Sequence, residues 1–245
     1  MILALACLAA VVAGVIQRVT GLAFVLVLIG PVVLIYGPVE GVTVAVLLAV
    51  VASIFAVPSA WREVDWPRTL WLLGAGLAAA PFGALMTRLL PESALLFVIA
   101  GMATVALLAH RLGRFVASAL RGRPGAVVAG AAAGFMHASS GLSGPALAAF
   151  AVGDQWEQRR FAASAQVIFL GYGLVAVALR GLPVSPPADI FALGACTAIG
   201  ILTGALLVRV VPVALARAVM LWCAWAGTIV VLARAVLSLA VQGAS

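Results

Sequence analysis

The sequence predicts an all-α polytopic membrane protein made of two inverted repeats, each a re-entrant helical hairpin followed by three transmembrane helices. Three observations predict it. First, 66% of the 245 residues are hydrophobic and only 9% are charged. A soluble domain carries about 25% charged residues, so a chain with so few needs lipid as its solvent. Second, the apolar segments recur twice in one order, a pair and then three longer stretches. Third, the halves match at nearly one offset. Ala13-Gly14 and Gly21-Leu22 return as Ala133-Gly134 and Gly141-Leu142, a shift of 120. Gly83-Ala84-Leu85, Arg88 and Pro91 return as Gly204-Ala205-Leu206, Arg209 and Pro212, a shift of 121. Internal duplication of this kind is a common origin of transporter folds.

Taken in order, the first repeat (1–112) opens with apolar limbs at 2–16 and 21–36, broken at Gln17-Arg18-Val19-Thr20 and read together as a hairpin over 2–36. Spans follow at 39–60, 69–89 and 93–110. A basic stretch from Arg111 to Pro124 comes next, with 113–124 taken as the connector between the repeats. The second repeat (125–245) has limbs at 125–136 and 141–152, broken at His137-Ala138-Ser139-Ser140, and spans at 160–180, 188–208 and 213–236. A crossing needs about 20 helical residues, and a 12-residue limb reaches only about 18 Å. The second pair therefore reads as two half-helices meeting inside the membrane. The first pair is longer, and two full crossings remain open for it.

Charge sets the topology. The net charge is +7 and all fourteen basic residues are Arg, placed singly between apolar runs. A nucleic-acid binder would gather them on one polar face. With the connector in the cytoplasm, ten arginines lie inside and three, Arg88, Arg180 and Arg234, lie outside, as the positive-inside rule requires. Three crossings per half invert the halves and leave both termini periplasmic. Tryptophans near segment ends read as interfacial belts. Cys7, Cys196 and Cys223 lie in apolar runs and read as core-filling thiols. No metal or cofactor motif is present, and residues 1–16 read as part of the mature fold rather than as a cleaved signal.

Away from segment ends and loops, two ionisable side chains remain in the apolar interior, Arg18 and His137. Both fall at the hairpin breaks, and intramembrane charge of this kind marks a pathway or site. Thr20 precedes Gly21, and Ser139-Ser140 precede Gly141, so hydroxyls stand where they can cap the following helices. Each helix start carries about half a positive charge. Two starts brought together by inverted repeats make an anion site near mid-membrane. In this reading Arg18 neutralises charge. Gln17, Thr20, Ser139, Ser140 and backbone N–H groups near Gly21 and Gly141 orient oxygens, and His137 donates a hydrogen bond or carries a proton. Plainer readings stand beside it: Arg18 at a cytoplasmic surface, His137 as a packed or capping residue, the serines satisfying backbone, and the glycines serving helix packing.

Gly141-Leu142-Ser143-Gly144 also resembles the nucleophile motif of rhomboid intramembrane proteases. That chemistry needs a histidine base on another helix, and the two histidines, His110 and His137, both precede the motif.

The stretches A-G-V-I-Q-R-V-T-G-L-A-F from Ala13 to Phe24 and G-F-M-H-A-S-S-G-L-S-G-P from Gly134 to Pro145 resemble the hairpins of the sulfite exporter TauE/SafE family, also called TSUP transporters. The Asp65-Trp66 loop and Arg159-Arg160-Phe161-Ala162 extend the likeness over most of the chain. Arg18 and Ala23 stand where glycine is common in that family. The resemblance implies a multi-pass carrier of the bacterial inner membrane. It implies a small anionic substrate, sulfite or an organosulfonate or a related sulfur or carboxylate anion. The paired halves themselves suggest alternating access, with protons, through His137, or another ion as the coupling partner. An anion channel using the same residues is the alternative. An enzyme is disfavoured, because the seven Asp and Glu residues all lie at segment ends or in loops. Membrane lipid is the expected surrounding, nucleic acid is not a partner, and the oligomeric state is open.

Overall fold

A computed structural model of the chain describes residues 2–91, 94–104, 120–208 and 210–242. The helices are α1 (Ile2–Thr20), α2 (Phe24–Tyr36), α3 (Pro38–Ala60) and, after a 3-10 turn at Trp61–Glu63, α4 (Trp66–Leu89). Then come α5 (Ala94–Thr104), α6 (Gly122–Ser140), α7 (Gly144–Gly153), α8 (Gln158–Arg180), α9 (Pro187–Leu207) and α10 (Val213–Gln242). Among the described residues no strand occurs, and six helices are long and apolar enough to cross a bilayer: α1, α3, α4, α8, α9 and α10. The expected span at 93–110 is described only as far as α5. Residues 111–119 of the connector, His110 and Arg209 lie outside the described residues.

The helices of each hairpin do not end where the apolar runs end. The tetrads at 17–20 and 137–140 are helical. Their hydroxyls turn back to their own helix: Thr20 Oγ1 donates to Ile16 O at 2.8 Å, and Ser140 Oγ to Met136 O at 3.0 Å. Such back-bonding satisfies a polar side chain without breaking the helix. The breaks come at Gly21 (φ +87°) and Gly141 (φ +77°), left-handed positions that only glycine adopts freely. Gly21 N–H closes on Gln17 O, and Gly141 N–H on His137 O. The limb expected at 125–136 is thus 19 residues long, about 28 Å, whereas α7, at 10 residues, covers about 15 Å.

Packing fixes the helix directions. Leu72, Gly76 and Gly83 of α4 lie against Gly130, Gly134 and Phe135 of α6, so these two run parallel. Val11 and Val15 of α1 lie against Gly200 and Gly204 of α9, also parallel. At both seams backbones touch, which small residues permit in lipid. A Cβ on Gly14 would fall 2.9 Å from the Gly200 carbonyl carbon. Helices α3 and α8 run antiparallel: Thr43 meets Arg180, Val50 meets Gly173, and Glu63 meets Arg159. Helices α4 and α8 run parallel, from the Asp65–Ser164 contact to the Arg88–Leu179 contact. Helix α9 starts where α8 ends, so α1, α3 and α9 point one way and α4, α6 and α8 the other.

Two ends result. One is basic and carries Arg68, which pairs with Asp65 and Asp154, Arg121 on Gly153 O, and Arg159 on Glu63. Burial of Asp154 is outweighed by the Gly122 N–H and Arg68, which hold its carboxyl below the usual range. The opposite end carries Arg88, Arg180, Glu40 on Ser185, and Tyr36 on Asp189.

Candidate functional site

A cavity of about 710 Å³ lies between the two hairpins. The end of α1 supplies Gln17 and Thr20, and the first break and α2 supply Leu22, Phe24 and Val25. The end of α6 supplies His137, and the second break supplies Gly141, Leu142 and Ser143. Ser53 of α3, Phe169 of α8 and Met220 of α10 close the sides. The lining reaches exposed Gln155 and Gln158 at the basic end and includes none of the residues named above at the opposite end. The cavity therefore has its mouth at the basic end.

Residues at matching places in the two hairpins organise the two breaks. Gln17 Oε1 accepts from the Phe24 N–H at 3.0 Å, satisfying a donor at the start of α2. Its amide donates to Gln166 Oε1 at 3.1 Å, and Gln166 donates in turn to Gly21 O at 3.2 Å. At the shift of 120, His137 takes the place of Gln17. Its Nδ1 lies 2.9 Å from Ser143 Oγ, the N-cap position of α7. The imidazole is 1% exposed and stacks on Phe169 with 6.3 Å between centroids. Tyr172, 5.8 Å away, directs its hydroxyl to Leu72 O instead.

Among the described residues, three buried polar atoms on the lining have no protein partner: His137 Nε2, Ser53 Oγ and Trp156 Nε1. Orphaned polar groups are costly in an apolar interior and call for a ligand or water. Among the described residues no arginine, lysine or carboxylate lines the cavity, and His137 is its one ionisable side chain. The starts of α2 and α7 both face it. Among the described residues no group of three or more His, Cys, Asp or Glu side chains could hold a metal ion.

The structure brings Gln17, Thr20, His137 and Gly141 onto one cavity, with Gly21 just behind through its carbonyl. Arg18 lies off the lining, half-buried, and donates from Nη2 to Ser59 Oγ at 2.6 Å. Ser139 and Ser140 also face away, toward Met102 of α5. Thr20 and Ser139 cap no following helix, and Ser140 accepts only a 3.4 Å contact from the Leu142 N–H. Sequence reasoning passed over Ser53 and Gln166, took Trp156, which is buried, for the interfacial belt, and met Ser143 only in the protease motif. A polar residue inside an otherwise apolar span was the available signal for Ser53 and Gln166.

The histidine that the protease motif lacked is present: His137 itself reaches Ser143 from the same hairpin. Among the described residues its second nitrogen has no protein partner, whereas the base of a serine–histidine pair is oriented by a third group. No curated protein and no solved structure matches the chain. A family model described as Sulfite exporter TauE/SafE matches residues 6–231, and its members are transporters, not enzymes. The paired breaks, the membrane-length helices and this match over nearly the whole length agree: the chain belongs to the sulfite exporter TauE/SafE family.

Proposed function

We propose that this protein is a secondary transporter of a small, singly charged sulfur oxyanion, an organosulfonate or hydrogensulfite, working by alternating access in a bacterial inner membrane. The observation that carries the reading is the set of unpartnered buried groups, His137 Nε2 and Ser53 Oγ, on a cavity walled by both hairpin breaks. The opposite senses of α1 and α6, α3 and α8, and α4 and α9 support reading the halves as inverted copies, the arrangement from which alternating access follows. With the basic end in the cytoplasm, the mouth faces inward.

The lining argues for the charge of the substrate. Desolvation cost rises with the square of the charge, and an uncompensated dianion in a low-dielectric site is prohibitive. The two helix starts offer about half a positive charge each, close to one in total. Ser53 Oγ and His137 Nε2 add neutral donors, the latter in the tautomer whose Nδ1 accepts from Ser143. The volume exceeds what a bare oxyanion needs and falls in the range of small-molecule sites, about 300–1,000 Å³, so an organic group on the sulfur is accommodated. His137 is the proton-coupling candidate, as the one titratable group on the wall. Arg18 contributes to the field at the mouth rather than as a direct ligand.

Proteoliposome uptake tests this. His137→Ala and Ser53→Ala should each slow methanesulfonate or sulfite transport at least about tenfold, the loss of roughly one charge-assisted hydrogen bond. Sulfate should compete far more weakly than methanesulfonate. Full transport by both variants, or sulfate competing as well as methanesulfonate, would sink the reading.

A further inference from the structure

An arginine stands at the end of the first helix of each hairpin, at opposite ends of the molecule. Near the end of α6, Ala138 O accepts from Arg180 Nη1 at 3.1 Å. The same guanidinium donates to Thr87 Oγ1 at 3.2 Å, Thr43 Oγ1 at 3.2 Å and Val39 O at 2.9 Å. One cation thereby joins α3, α4, α6 and α8 at the end away from the mouth. All four acceptors are neutral oxygens. Glu40, the neighbouring acid, is engaged with Ser185 N–H and Oγ at 2.8 and 2.6 Å. At the basic end, Arg18 of α1 makes one bond, to Ser59 of α3.

The two junctions correspond. At the shift of 120, Ala138 stands where Arg18 does, and Arg180 stands where Ala60 does, beside Ser59. Each junction links the first helix of a hairpin to the third helix of its own repeat, with the arginine supplied from opposite sides. Among the described residues they differ in engagement: four bonds at the closed end, one at the open end. A cation held by neutral oxygens on several helices is strongly bound yet releasable, because no counter-charge is left buried when it lets go.

We propose that Arg180 and Arg18 are positioning residues of an alternating gate. Arg180 clasps the cavity shut at the end opposite its mouth, and Arg18 gains the equivalent contacts when the basic end closes. This rests on the alternating-access reading above.

The test replaces Cys7, Cys196 and Cys223 by alanine, introduces Ala149→Cys on the cavity wall, and reconstitutes the protein in vesicles of defined orientation. A membrane-impermeant maleimide is applied to either face. The parent should label at least about tenfold faster from the basic end. Arg180→Gln should equalise or reverse that ratio, and Arg180→Lys should largely restore it. Arg18→Gln should keep the basic-end preference while slowing methanesulfonate transport. If Arg180→Gln does not purify as a monodisperse species, Thr87→Val removes one acceptor and should move the ratio in the same direction. A folded Arg180→Gln or Thr87→Val protein with the parent's ratio overturns the gate. Equal labelling of the parent from both faces would instead remove alternating access itself.

Discussion

Gln17 and His137 show how one position serves two chemistries. Each sits four residues before a left-handed glycine, on the helix face that meets the cavity, and each ties its break to the next helix. The sequence marked both tetrads as special but could not say which members face inward. Read as loop, all four residues of a tetrad can converge. Read as helix, each residue turns about 100° from the last, so 137 and 141 share a face and 139 points elsewhere, while Ser140 bonds back to Met136 O and meets Met102. Arg18 leaves the site for the same reason, one step round from Gln17. The glycines allow a contrast at this scale. Gly141→Ala forces a left-handed alanine against Val25, where a Cβ would fall 2.9 Å from a methyl, and should destabilise by about 1–2 kcal/mol or more. Gly74→Ala, in open space within α4, should be neutral or stabilise by up to about 1 kcal/mol. Thermal unfolding in detergent should separate them, and equal shifts would contradict the strain argument.

At the scale of the element, composition located the helices and glycine ended them. The apolar runs predicted limbs ending at 16 and 136, and both helices continue four residues further because Thr20, Ser139 and Ser140 bond back to their own carbonyls. Hydropathy cannot distinguish a polar helical turn from a loop. A glycine that needs positive φ can, and Gly21 and Gly141 were in view. The seams between α4 and α6 and between α1 and α9 depend on close backbone approach. Gly134→Val would drive a branched side chain into the Gly76 backbone and should cost about 3 kcal/mol or more. The measurement is the monodisperse fraction after purification, which should fall steeply. A normal yield would mean that the seam is not tightly packed.

At the scale of the whole molecule, the structural bodies cross the sequence halves. Helices α1 and α2 pack with α9 and α10, and α6 and α7 pack with α4, with α3 and α8 running between them. Motion about such a division would shift the first hairpin against the second while keeping α1 fixed on α9. A cysteine pair introduced across the α1–α9 seam as Val11→Cys and Gly200→Cys, which lie against each other, should therefore leave transport intact when oxidised. A pair introduced as Leu22→Cys and Gly144→Cys, whose Cβ atoms would lie 3.9 Å apart, within the range a disulfide needs, should block it until reduced. Inhibition by the first bond, or none by the second, would refute this division. The sequence alone determined the membrane setting, the matching motifs 120 and 121 positions apart and the placement of arginines between apolar runs, because hydropathy, motif spacing and charge are read along the chain. Only the tertiary structure decided that Ser53, Ser143 and His137 share a wall, that Arg180 rather than Arg18 bonds the end of α6, and that α1 packs on α9 while α6 packs on α4. Those facts depend on helical phase and on contacts between residues more than a hundred positions apart, which no local window of the chain contains.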